Sequence, residues 1–83
     1  MDLEQLIKLS IGKAIAFRRN ELGLSQRELA TKVNISHVQI NRLESGNSLP
    51  SITSLVYLKN ALKVDFNYFF LELNDTEIQR TIK

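Results

Sequence analysis

Apolar residues recur three and four positions apart along nearly the whole chain, and nowhere do they hold the strict alternation of a strand. The pattern predicts an all-α protein. A first helix, from about Leu3 to Leu22, sets Leu3, Ile7, Ile11, Ala14, Ile15 and Leu22 on one face, and Gly23 ends it in the left-handed conformation open to glycine. Two starts are compatible with the residues, one capped by Asp2 with Gln5 three positions on, the other near Ser10. A second helix is expected over Gln26 to Val33, with Leu29, Ala30 and Val33 inward, and a third from His37 to about Ser45, with Ile40 and Leu43 inward and Gly46 as its stop. The turn formers Asn47-Ser48-Leu49-Pro50-Ser51 lead into a fourth helix over about Ile52 to Leu62. Its inward stripe is Leu55, Leu58 and Leu62, flanked by Ile52 and Ala61, while Lys59 and Asn60 face water. A fifth helix is expected over Phe66 to Leu71, with Phe66 and Phe69 closing the core, and the tail either extends it or frays.

Two of these helix starts share one code, eleven positions apart: Leu24-Ser25-Gln26-Arg27-Glu28-Leu29 and Ile35-Ser36-His37-Val38-Gln39-Ile40. In each, the serine caps the third backbone N–H, the Glu or Gln at that third position reaches back, and flanking apolar residues staple the turn. Val64-Asp65 followed by Phe69 repeats the staple. The interval between the serines leaves room for one short helix and a sharp turn at Asn34, a side chain that tolerates the left-handed conformation. Such a pair is a helix-turn-helix, the unit that presents its second helix to a DNA groove.

At 83 residues the chain is one domain. It has no cysteine and a single histidine, His37, so disulfides, thiolate metal sites and multi-histidine zinc sites are not expected, and no cofactor is implied. No apolar run approaches the roughly 20 residues that span a bilayer, and Met1-Asp2-Leu3-Glu4 lacks the basic region of a signal peptide, so no membrane association and a cytoplasmic location are expected. The net charge of +2 says less than its distribution: seven Lys or Arg against five Asp or Glu up to Glu44, then four of each. The excess lies in the half that holds the paired caps.

At about 100° per residue, a helix with Ile40 and Leu43 inward turns Val38, Asn41, Arg42 and Ser45 outward, flanked by His37 and Gln39. Arg42 suits the O6 and N7 of guanine, Gln39 and Asn41 suit adenine or a phosphate, Val38 suits a thymine methyl, and His37 can donate to a base or phosphate. No second histidine, cysteine or nucleophile elbow supports catalysis, so an enzyme is not expected.

These residues carry a family resemblance. From Ile11 to Phe70 the chain resembles the lambda repressor and Cro type of helix-turn-helix, the Xre family of phage repressors and small bacterial regulators. The landmarks are Arg19 ahead of Leu22-Gly23-Leu24-Ser25-Gln26, then Glu28-Leu29-Ala30, Ile35-Ser36, Ile40 ahead of Leu43-Glu44-Ser45-Gly46, Pro50, and Leu55 through Leu62-Lys63-Val64. The resemblance implies a compact five-helix DNA-binding domain over residues 11–71, an N-terminal extension of helix 1 at 1–10, and a tail at 72–83 that dimerises or lengthens a helix. It implies that His37, Val38 and Arg42 face bases, with Gln39 and Asn41 beside them. It implies too that Gln26 bonds a phosphate and braces the recognition helix and that Ser25, Ser45 and Asn47 hold the DNA backbone; Arg27, Ser36 and Ser48 are further expected phosphate contacts. Arg19 and Glu44 match a structural ion pair.

Three departures stand out. The loop after Gly46 has no Lys or Arg, leaving backbone N–H groups and the hydroxyls of Ser48 and Ser51 to meet phosphates. Lys63 stands where glycine commonly closes helix 4, at a strain of about 1 kcal/mol. Phe17 and Arg18 look exchanged against the usual pattern, so that Phe17 either folds over the N-terminal turn or meets a partner.

One short domain reads few base pairs, so the expected state is a homodimer on half-sites about 34 Å apart. Tyr68, Phe70, Leu71 and Leu73 cannot all point inward and form one dimer surface; Leu3, Leu6, Ile7 and Leu9 form a competing one. The expected function is a transcriptional repressor on a near-palindromic double-stranded operator, in the bacterial cytoplasm or a phage-infected host, with an antagonist or partner protein as one route of control. A restriction-modification controller and an antitoxin-type regulator fit the same features, as does a protein-interaction module of this fold without DNA binding.

Overall fold

A computed structural model describes residues 2–73. Its order is α1 (Leu3–Glu21), α2 (Gln26–Val33), α3 (His37–Glu44), α4 (Ile52–Leu62) and a short 3-10 helix, Phe66–Phe70. The Asp2 side chain accepts from the Gln5 N–H at 2.8 Å, so α1 takes the earlier of its two starts and runs unbroken past Ser10. Asn34 and Gly23 adopt the positive φ expected of them, at 57° and 72°.

The core is built where the periodicity places it. Ile11 and Ile15 of α1 meet Leu29 and Val33 of α2, Ile40 and Leu43 of α3, and Leu58 and Leu62 of α4, with Phe69 closing one end. α1 packs across α3, α4 and the 3-10 helix, and α2 packs on α3 and α4. Two contacts on α1 escape the apolar pattern. Gly12 lies against the end of α3 so closely that a Cβ would collide with the Leu43 carbonyl oxygen and reach within 3.0 Å of that of Glu44. Ser10, buried, donates its hydroxyl to the Phe69 carbonyl at 2.7 Å and so ties the last element to the first.

Four expectations need correction. The fifth helix over Phe66 to Leu71 is instead a five-residue 3-10 turn: the Asp65 carbonyl and side chain both accept from the Tyr68 N–H, three residues on, and Ser10 anchors the turn through the Phe69 carbonyl. Among the described residues the architecture is therefore four α-helices and one 3-10 turn, and the tail expected to dimerise or lengthen a helix lies, from residue 74 on, outside them. Phe66 is not core; it is 43% exposed, with the Lys59 ammonium 5.5 Å from its ring centroid. Ile52 does not flank the buried stripe of α4, since at the first helical position it projects into solvent, 79% exposed. Finally, the α2 capping box is complete, whereas that of α3 is half made, because the Gln39 amide turns to Ser48.

Lys63 closes α4 at φ 58°, and the Arg18 Nε–H donates to the Leu62 carbonyl at 2.9 Å. The exchanged pair thereby acquires a reason. Arg18 satisfies a carbonyl at the α4 terminus, and Phe17, one position earlier, is left 62% exposed.

Candidate nucleic-acid interface

The site begins with two caps and a turn. Ser25 Oγ accepts from the Glu28 N–H at 3.0 Å and the Ser25 N–H donates to the Glu28 carboxylate at 2.8 Å, which fixes the start of α2. These bonds hold the Glu28 carboxyl below its ordinary range, the backbone bond from Ser25 first and its hydroxyl second. Eight residues later Asn34 turns the chain, and Ser36 accepts from the Gln39 N–H at 3.1 Å to open α3.

The far end of α3 is held from behind. The Arg19 guanidinium forms a forked pair with Glu44, Nε to Oε2 at 2.6 Å and Nη2 to Oε1 at 2.9 Å, while its Nη1 donates to the Leu24 carbonyl at 2.7 Å. Gln26 Nε2 adds a third donor to Glu44 at 3.1 Å. Both partners are largely buried, 13% and 8% exposed in their side chains. Hydrogen bonding to Glu44 is the main cause that raises the Arg19 pKa, opposed by its desolvation. One carboxylate thus ties α1, the first residue of α2 and the last residue of α3 together.

With its ends fixed, α3 offers a defined outer face. Val38 is 56% exposed, Asn41 and Arg42 are exposed, and His37 and Gln39 are half-buried. Arg42 makes no ion pair among the described residues. Ser25, Arg27, Ser36, Ser45 and Asn47 are exposed around this face, and Gln26 and Ser48 are half-buried. Ser45 already spends its hydroxyl proton on the Asn41 carbonyl at 2.8 Å, leaving its lone pairs outward. Gln39 donates to Ser48 at 3.3 Å and so pins the loop after α3 to the helix itself.

At the other pole, Phe70 and Leu71 are exposed and Tyr68 and Leu73 half-buried. Leu3, Leu6, Ile7 and Leu9 are half-buried along the first turns of α1. Sequence reasoning missed the close approach of Gly12 to the end of α3, which positions the site, and the bonds by which Arg18 and Ser10 fix the end of α4 and the 3-10 turn. For Gly12 a signal existed, a glycine inside a helical apolar stripe, which marks a close backbone approach. Among the described residues no group of His, Cys, Asp or Glu is gathered to hold a metal, and no helix is long and apolar enough to cross a membrane.

Comparison with known proteins points the same way as this geometry. The family model HTH_3, helix-turn-helix, matches residues 15–69. Multiprotein-bridging factor 1 of Candida albicans is 45% identical over 58 residues, 70% of this chain and 38% of that protein. The HTH-type transcriptional regulator DicA of Escherichia coli is 40% identical over 55 residues, 66% of this chain and 41% of its own length. Among solved structures, an HTH_3 family transcriptional regulator from Vibrio cholerae superposes with a TM-score of 0.75 at 27% identity, over 90% of this chain and 41% of that one. The chain thus spans roughly two fifths of each of these relatives.

Proposed function

Because the chain belongs to the Xre/Cro-like helix-turn-helix family of DNA-binding proteins, we propose that it is a transcriptional regulator that binds a near-palindromic operator as a homodimer and represses by occluding a promoter. The observation that carries this reading is the outer face of α3. Val38, Asn41 and Arg42 stand exposed on a helix whose end is fixed from behind by Arg19, Gln26 and Glu44. A rigid helix with an outward arginine and an outward methyl-bearing residue has the chemistry to read a guanine and a thymine in the major groove. His37, Gln39 and Asn41 flank that pair, and Ser25, Gln26, Arg27, Ser36, Ser45, Asn47 and Ser48 surround it with donors for phosphate oxygens. The dimer surface proposed from the sequence is Tyr68, Phe70, Leu71 and Leu73.

Selection from a random duplex library at moderate salt, followed by sedimentation with and without the selected DNA, tests the proposal. A symmetric motif and a dimeric complex are the expected results. Recovery of no motif, with binding that follows ionic strength alone, overturns the operator reading.

A second reading has one observation behind it. The relative at 45% identity is named a multiprotein-bridging factor, which favours a protein-interaction module on the same fold. That module predicts full function in Arg42→Ala; the operator reading predicts its loss.

A further inference from the structure

We infer that the outer face of α4, from Leu49 to Asn60, is the surface on which a second copy of this chain docks. The inference rests on the homodimeric reading above and replaces its choice of surface. The exposed arc of α4 consists of Ile52, Thr53, Val56, Tyr57 and Asn60, with Leu49 exposed just before it. Ile52 is 79% exposed, Tyr57 50%, Leu49 40% and Val56 39%. At helical spacing, Ile52 and Val56 form one ridge and Thr53, Tyr57 and Asn60 the next. An apolar surface of this extent on one helix, rimmed by neutral polar groups, is what an interaction face looks like.

Charge selects the occupant. A two-fold contact brings each patch against its own image, so every charge near the axis meets a like charge. The arc of α4 has none. The helix's one ionic side chain, Lys59, is half-buried, with its ammonium 5.5 Å from the Phe66 ring centroid and 3.5 Å from the Asn60 amide oxygen, at the end of the arc away from Ile52. The aromatic pole offers a poorer match, because Phe66, Phe70 and Leu71 stand among Lys59, Lys63, Asp65 and Glu72. Connectivity adds a further reason. The loop from Ser45 to Ser51 joins the end of α3 to Ile52, and Gln39 binds that loop to α3 through Ser48. A dimer made at the start of α4 therefore fixes two reading helices through one short, braced connection.

Ile52→Asp is the decisive variant. An aspartate in the first turn of a helix suits its macrodipole, so the fold survives and thermal unfolding should be unchanged or slightly improved. In sedimentation equilibrium the variant should self-associate on the order of 100-fold more weakly than the wild type, while Leu71→Asp stays dimeric. Binding to a single half-site duplex should match the wild type, and only the full-site complex should lose cooperativity. Wild-type self-association in Ile52→Asp, or a monomer produced by Leu71→Asp instead, overturns the α4 surface and leaves the operator reading intact. Loss of half-site binding in a folded Ile52→Asp also overturns it, because the residue would then act on DNA and not on a copy. A wild type that stays monomeric even on its selected full site overturns the surface and the homodimer together.

Discussion

At the scale of single residues, the proposed interface separates side chains assigned to reading bases from side chains that hold the helix in place. Arg42 is exposed and carries no ion pair among the described residues, so its truncation should leave stability within about 0.5 kcal/mol and cost roughly 1–3 kcal/mol of specific DNA binding, with preference relaxed at one base pair. Parallel melting curves and binding isotherms on single-base operator variants check both halves. Glu44 should behave in the opposite sense. Glu44→Ala strands the Arg19 guanidinium and the Gln26 amide, and should destabilise by about 2–3 kcal/mol, less than a fully buried pair because both side chains keep some solvent. Glu28 gives a pH signature. Its pKa is lowered in the folded protein, so its contribution is complete above the ordinary glutamate value of about 4.3 and disappears as pH falls below that through the folded value. Glu28→Gln should flatten that part of the stability curve, as read by denaturant unfolding between acidic and neutral pH.

At the scale of elements, the closest approach lies between α1 and α3 at Gly12. Helix propensity alone would make Gly12→Ala stabilising by roughly 1 kcal/mol. The Leu43 and Glu44 carbonyls occupy the space, so overpacking should reverse the sign and destabilise by about 1–3 kcal/mol, while shifting the end of α3 that Arg19 clamps. A melting temperature that rises in Gly12→Ala would refute this. The same element shows what a sequence discloses and what it withholds. Caps and glycine or asparagine stops are local chemistry, so α2, α3 and α4 stand where Ser25, Asn34, Ser36 and the apolar stripe ending at Leu62 put them. Periodicity likewise located Ile15, Leu29, Ile40 and Leu58 in the core. The failures are competitions between partners far apart in sequence. The last described element is a 3-10 turn whose Phe69 carbonyl is anchored by Ser10, 59 residues away, and Ser48 draws Gln39 from its cap. Ile52 and Phe66 misled for a related reason, since hydrophobicity alone does not say whether a side chain at the rim of a small core is covered.

At the scale of the whole molecule, the net charge of +2 and the uncharged loop after α3 set how the protein should respond to salt. Affinity for duplex DNA falls with log salt at a slope near −0.9 for each phosphate neutralised by a cation. Arg27 is the cation of each protomer assigned to phosphate, whereas the loop from Ser45 to Ser51 offers only neutral donors such as Ser48 and the backbone. Hydrogen bonds from neutral groups hold phosphates without releasing counterions. A homodimer should therefore show a slope of about −2, shallow for a specific regulator. Asn47 is exposed and its N–H caps the Arg42 carbonyl at 2.9 Å, so Asn47→Lys keeps the backbone bond and adds one cation beside the duplex. That change should steepen the slope to about −4 for the dimer and raise affinity most at low salt, with base preference unaltered. Titrations across a range of salt concentrations on the selected operator measure the slope directly. A wild-type slope already near −4 would mean that cations besides Arg27, Arg42 of the same face included, neutralise phosphates, and an unchanged slope in Asn47→Lys would place the loop away from DNA.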